Sequence, residues 1–236
     1  MSGMKRGWMA VLVIAGALQS ALGYQDGDSQ LWMKFGASGK MDCGVKVSVA
    51  EELRLGDDMK EFYYTETALS ASYDVQPWLN LGLTYVEVSE RKEKVIYDSK
   101  GNEINDHYFR PEHMPRVEAT VKHKLAGWGL DDRVRVEYRM KEDAQDYFRY
   151  RNRIRVKSPW KISPLDINPY VAWELFLSDL PDDVNWVVDR HRFYAGVEMS
   201  LVKNLKGGLY YLKQLDWKSG DWVETNVLGV ELSASF

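Results

Sequence analysis

Arg133-Val134-Arg135-Val136-Glu137-Tyr138-Arg139-Met140-Lys141 alternates without a break between ionic and apolar side chains. Successive side chains of an extended chain leave opposite faces, so this stretch reads as a strand with one charged and one apolar face. A helix would scatter its arginines around the axis. The next segment repeats the pattern: Arg149, Arg151, Arg153 and Arg155 fall on one face, and Phe148, Tyr150, Ile154 and Val156 on the other, interrupted only by Asn152. Arg190 to Leu201 does so again, with Arg190, Arg192, Tyr194, Glu198 and Ser200 opposite Phe193, Ala195, Val197, Met199 and Leu201.

Working outward, residues 29–38, 44–54, 62–73, 78–97, 114–125, 167–177, 205–216 and 222–236 give further segments of this kind, separated by turn-rich or charged stretches. Segments of about ten residues with period-two alternation are the pattern of a transmembrane β-barrel, whose strands turn apolar side chains to lipid and polar ones to the lumen. The segments total eleven. Bacterial single-chain barrels have an even strand number and both termini on the periplasmic side. Parity therefore predicts an all-β, antiparallel transmembrane β-barrel of ten or twelve strands. The mismatch falls on the weak first segment, 29–38, read as a half-strand, a lumen-entering segment or a strand whose partner is missing. Short links at 202–204 and 74–77 are expected on the periplasmic side, and the longer stretches 98–113 and 178–189 outside.

The ends of the chain agree with export. Lys5 and Arg6 precede an apolar run from Trp8 to Leu18, and Ala21 and Gly23 fit a signal-peptidase site, so residues 1–23 are expected to be a signal peptide and residues 24–236 one domain. The apolar run is shorter than the roughly 20 residues of a spanning helix, and no later run is long enough. Removing residues 1–23, which carry Lys5 and Arg6 and no acid, takes the formal charge from −4 to −6. Cys43 is the only cysteine, which excludes an internal disulfide. In the last segment Leu228, Val230, Leu232, Ala234 and Phe236 share a face. A terminal aromatic there resembles the signal read by barrel-assembly machinery, which makes Phe236 the candidate assembly signal and that machinery an expected partner.

The chain also resembles domain-of-unknown-function family 2490, exported outer-membrane β-barrel proteins of unknown activity. The resemblance rests on Leu31-Trp32, Glu52 with Arg54, the Leu79-to-Tyr85 strand, the Arg133-to-Arg139 strand, Tyr150-Arg151-Asn152-Arg153, Pro169-Tyr170 through Glu174, Arg192-Phe193-Tyr194-Ala195-Gly196-Val197, and the ending from Asn226 to Phe236. It implies residence in the outer membrane of a Gram-negative-type bacterium and carries no catalytic residues.

Turning each charged face inward collects Glu52, Arg54, Glu66, Glu118, Arg133, Arg135, Glu137, Arg139, Arg149, Arg151, Arg153, Arg155, Glu174, Arg190, Arg192, Glu198 and Glu231 in the lumen. Lys46, Lys122, Lys124 and Lys141 join them, so cations are in excess. Buried charges must be paired, so a salt-bridged plug is expected, and the role is structural or interactive. The alternative is a narrow anion-preferring pore.

Other constellations carry less. Residues 149–157 read linearly as a basic arm, but alternation puts the charge on one wall, and an acidic exported chain does not fit nucleic-acid binding. His123 and His191 fall on outward faces, and His107 and His113 in the long outer stretch. None has a nucleophile or proton donor indicated beside it, so no enzyme is expected; a rim or lumen enzyme without a recognisable motif stays as a further alternative. Acidic clusters such as Asp57, Asp58 and Glu61, or Asp179, Asp182, Asp183 and Asp189, match no calcium-loop spacing and read as a solvated rim facing lipopolysaccharide. Trp78, Trp128, Trp160, Tyr170, Trp173, Tyr211, Trp217 and Trp222 lie near strand ends, as in the aromatic girdles that contact outer-membrane lipids. No cofactor motif is present.

Overall fold

The computed structural model describes residues 27–97, 103–142, 144–179, 186–218 and 220–236; the expected signal peptide lies outside the described residues. Eleven strands follow in order: β1 (Ser29–Lys40), β2 (Lys46–Gly56), β3 (Glu61–Gln76), β4 (Leu79–Tyr97), β5 (Glu103–Leu125), β6 (Trp128–Lys141), β7 (Tyr147–Lys157), β8 (Asn168–Ser178), β9 (Val187–Val202), β10 (Leu205–Lys218) and β11 (Asp221–Ser235). Each pairs with its chain neighbours and the sheet closes on itself as a barrel.

The expectation of ten or twelve strands is corrected to eleven. In a meander every hairpin reverses the chain, so the first and last strands of an odd set run the same way and meet in parallel. β1 and β11 do so, from Ser29 opposite Asn226 to Ser38 opposite Ser235, while β1 pairs antiparallel with β2 on its other edge. Residues 29–38 therefore form a complete strand. A parallel ladder satisfies the same backbone groups as an antiparallel one, so an odd count leaves no open edge. A second correction follows. Ser29 lies toward the rim carrying the β2–β3 and β10–β11 connections, here the upper rim, and Phe236 lies at the opposite, lower rim, so the two ends of the barrel chain do not share a side.

The long outer stretch expected at 98–113 is also corrected. β4 and β5 continue as one hairpin, paired from Leu79 opposite Val121 to Tyr97 opposite Glu103, and His113 sits within the wall. Pro111, which cannot donate to a ladder, falls within the upper part of this hairpin, opposite Ser89. The barrel accommodates Pro115 where β5–β6 pairing lapses, between His113 opposite Met140 and Arg116 opposite Glu137. At the lower rim β5 turns into β6 through Ala126 and Gly127, both at positive φ (49° and 86°), as a two-residue hairpin with the twist of its flanking strands requires.

The faces are inverted relative to a soluble domain. Leu83 (63% exposed) and Leu69 (58%) look outward, whereas Glu137 (0%) and Glu174 (1%) are interior. Two apolar patches accompany the charges inside. One comprises Tyr64, Ala68, Val86, Val88 and Met114; the other comprises Trp32, Tyr210, Leu212 and Val227, with Tyr170 and Tyr194 against them. Tyr210 can lie flat against the inner face here because its neighbours on both flanks are glycines. A Cβ at Gly229 would stand 1.9 Å from the Tyr210 ring, and one at Gly196 would stand 2.7 Å from the Tyr210 Cβ.

Candidate functional site

Register decides which charges meet. Arg135 stands opposite Arg151 and Glu118, and Glu137 opposite Arg149 and Arg116, so the inward faces of β5, β6 and β7 bring cations and carboxylates into neighbouring rows. Glu137 is the hub. Its carboxylate accepts from Arg149 Nε at 2.7 Å and Arg151 Nη1 at 2.8 Å, with Arg116 Nε at 3.1 Å and Arg135 Nη1 at 3.7 Å. Arg116 continues along the wall, past β4, to Glu66 on β3, at 3.0 Å. Arg151 continues the other way to Glu174 at 2.9 Å, which also accepts from Arg133 at 3.0 Å and from the Tyr194 hydroxyl at 3.1 Å. Glu66, Arg116, Glu137, Arg151 and Glu174 thus form one buried chain of ion pairs that follows the inner wall at the waist from β3 to β8. A buried ion left without its partner costs several kcal/mol, so each member holds the next in place.

Aromatic rings complete the ring of contacts on the far wall. Arg54 lies between Trp32 (3.8 Å) and Tyr64 (3.9 Å) and donates to Glu52 at 2.6 Å. Phe176, 1% exposed, has Arg149, Arg151, Arg190 and Arg192 around it at 4.4–5.5 Å. Ring faces carry negative charge density, so these contacts offset part of the repulsion among the guanidiniums.

Toward the upper rim Arg139 pairs with Glu112, and Arg190 with Asp216. Toward the lower rim Arg135 donates to Glu118 at 2.7 Å, and Arg155 reaches Asp131 and Glu198, the latter at 2.7 Å. Arg153 and Glu231 line the lower chamber and form no ion pair among the described residues. The structure thus has a buried network of arginines and glutamates on the inner wall, while Phe236 is 85% exposed at the lower rim, its backbone N–H bonded to Ser38 O at 2.9 Å.

What sequence grouping missed is the uncharged interior: Trp32, Val86, Val88, Met114, Phe176, Tyr210, Leu212 and Val227. A signal existed, since Phe176 lies two residues from Glu174 and Leu212 two from Gln214, on the same strand face. The waist separates an upper chamber of about 370 Å³, walled by Arg54, Arg116, Arg151, Arg190 and Arg192 among others, from a lower one near Lys34, Arg133, Arg153 and Glu231. Among the described residues no cluster of three or more His, Cys, Asp or Glu is arranged for a metal. His191 is outward, stacked near Trp173 (6.1 Å) and Trp222 (5.2 Å), and His113 Nδ1 meets the Tyr85 hydroxyl at 2.8 Å on the outer face. Of the remaining expected rim groups, Asp98, Asp143, Asp182 and Asp183 lie outside the described residues, as does the His107 side chain.

The family described as "Protein of unknown function (DUF2490)" matches residues 29–225, from the first strand into the last. The chain belongs to this family. Among solved structures, this DUF2490 barrel is similar to the beta domain of the Bordetella autotransporter BrkA. The TM-score is 0.52 at 14% identity, covering 79% of this chain and 82% of that one, a likeness of fold. A search of the curated proteins finds no match.

Proposed function

We propose that the chain is an outer-membrane β-barrel whose lumen is closed across its waist by ion pairs, with a structural or surface-interaction role and no catalysis. The observation carrying this reading is the outer belt. On β6 the outward Trp128 and Tyr138 each sit in an aromatic pair, with Trp160 at 5.5 Å and Phe148 at 4.8 Å. They are separated by ten residues; at about 3.3 Å per residue and a tilt near 40° that is about 25 Å along the normal, the height of a barrel's lipid-facing band. Val134 and Val136 lie between them on the same face. The fold likeness to an autotransporter beta domain supports the same setting.

Closure follows from size and charge. Eleven strands enclose a space narrow enough for side chains as large as arginine to fill it at the waist, where the ion pairs from Glu66 to Glu174 follow the wall from β3 to β8. In this reading lipids and lipopolysaccharide surround the wall, the barrel-assembly machinery reads the strand ending in Phe236, and the lower rim faces the periplasm. The alternative, a narrow anion-preferring pore, draws on the cation excess of the walls and requires the waist to open.

The test is fractionation of the expressed chain, its migration on gels with and without heating, and current across a planar bilayer. Recovery with outer membranes, heat-modifiable migration and no resolvable current are expected. Deleting Phe236 should lower the membrane-inserted fraction. Recovery in the soluble periplasmic fraction would overturn the barrel's setting, and a steady anion-selective current would overturn its closure.

A further inference from the structure

Arg192 is a buried cation of the lumen with no carboxylate in ion-pair contact among the described residues. It is 5% exposed, held between the rings of Trp32 (4.9 Å) and Phe176 (4.8 Å), and its Nε donates to Gln214 Oε1 at 2.7 Å. Its terminal nitrogens have no hydrogen-bond partner among the described residues, and no carboxylate lies within ion-pair distance. Its cross-strand neighbour Glu174 is turned to Arg133, Arg151 and Tyr194 instead, and Asp216 is taken by Arg190 and Gln214. Other arginines of the waist, Arg116, Arg149 and Arg151, each have a carboxylate. Burying an unpaired guanidinium is costly, and Arg192 faces the upper chamber, where a bound anion would complete it.

A second unmet group faces the same chamber. The β8–β9 register shifts between Phe176, opposite Arg190, and Leu177, opposite Val188, so Asp189 is a bulged residue without a cross-strand partner. Bulges re-aim side chains, and Asp189 joins Arg190 and Arg192 on the chamber wall. Ser178 donates to Asp189 Oδ2 at 2.7 Å, while Oδ1 is buried with no donor. The chamber thus offers donors without an acceptor at Arg192 and, beneath its wall at Asp189, a buried acceptor without a donor, which a small turn of the side chain would bring to the chamber. Lys218, exposed at the upper rim, and Lys141 add positive charge at its mouth.

We propose that the upper chamber is a binding site for a small oxyanion of the hydrogenphosphate class, free or on a larger molecule. Arg192 holds its unprotonated oxygens by charge-assisted hydrogen bonds, and Asp189 Oδ1 accepts its hydroxyl proton. Sulfate has the same shape and charge but no proton to donate at neutral pH, so it meets Arg192 and leaves Asp189 unmet. The inference concerns the chamber and holds whichever compartment the upper rim faces.

The barrel spanning residues 24–236, refolded in a detergent without phosphate, is titrated calorimetrically with sodium phosphate and with sodium sulfate at pH 7 and constant ionic strength. Heat-modifiable migration checks folding, so failure of the membrane reading would not be confused with failure of this one. Saturable binding of phosphate is expected, with sulfate weaker by about tenfold, the worth of one charge-assisted hydrogen bond. Arg192→Gln should weaken both anions by about tenfold or more, and Asp189→Asn should erase the preference for phosphate. Should Arg192→Gln fail to refold, Arg192→Lys and a phosphate-dependent rise in the unfolding temperature of the unmodified barrel carry the test. Competition by lipopolysaccharide against inorganic phosphate assigns the phosphoryl group to a lipid; phosphate binding without such competition assigns it to a solute. Absence of saturable phosphate binding, or binding indifferent to Arg192→Gln, would overturn the site.

Discussion

At the scale of single residues, burial separates carboxylates that look alike in the sequence. Glu137 stands between Val136 and Tyr138 and Glu118 between Val117 and Ala119, both on charged strand faces, yet the Glu137 side chain is 0% exposed against contacts from four arginines, while that of Glu118 is 21% exposed and meets Arg135. Replacing Glu137 by Gln strands several buried guanidiniums and should cost about 3–5 kcal/mol, whereas Glu118→Gln should cost about 1 kcal/mol or less. Urea unfolding of the two refolded variants in the same detergent measures the difference. Equal losses would mean that the waist is not the buried centre described here. Inward direction was legible from alternation, because a charge two residues from a charge shares its face. Which carboxylate would become the hub was not, since that depends on register between strands distant in the chain. Asn152 shows the same limit: it breaks the apolar face of β7, and only cross-strand pairing supplies its partner, Asp132 Oδ1 at 2.6 Å.

At the scale of strands, the segments counted in the sequence coincide with the eleven strands of the barrel, and it was the parity rule that misled. Alternation reports that a segment is extended and which side is apolar; it carries no information about the direction in which the first and last segments meet. The β4–β5 hairpin was cut short for a different reason: the alternation is clear only from residue 114 onward, and the upper part of β5, with Pro111 in it, is shown to be strand only by its pairing with β4. The parallel closure can be checked directly. Phe35 stands opposite Leu232. With Cys43 replaced by Ser, oxidation of a Phe35→Cys, Leu232→Cys pair should give a cross-linked band. A Phe35→Cys, Leu228→Cys pair, about 13 Å out of register, lies beyond the roughly 7 Å Cα separation that a disulfide tolerates and should stay reduced. Cross-linking of the second pair in place of the first would remove the eleven-strand closure.

At the scale of the whole molecule, the inverted faces make adjacent residues answer to different surroundings. Ile154 looks outward, 38% exposed beside Trp173 on the next strand, while Arg153 lines the lower chamber without a carboxylate partner. An arginine at Ile154 would meet lipid between the midplane and the lower interface, and should cost about 2 kcal/mol and lower the inserted fraction. Arg153→Gln removes a cation that forms no ion pair among the described residues. It should leave insertion intact and stability unchanged or slightly raised, and with the ion pairs from Glu66 to Glu174 still in place it should open no current. Both variants are compared in lipid vesicles by denaturant unfolding, heat-modifiable migration and planar-bilayer recording. Tolerance of Ile154→Arg together with loss of insertion in Arg153→Gln would reverse the two faces, because a lipid-facing arginine and a lumenal isoleucine predict that opposite pair of results.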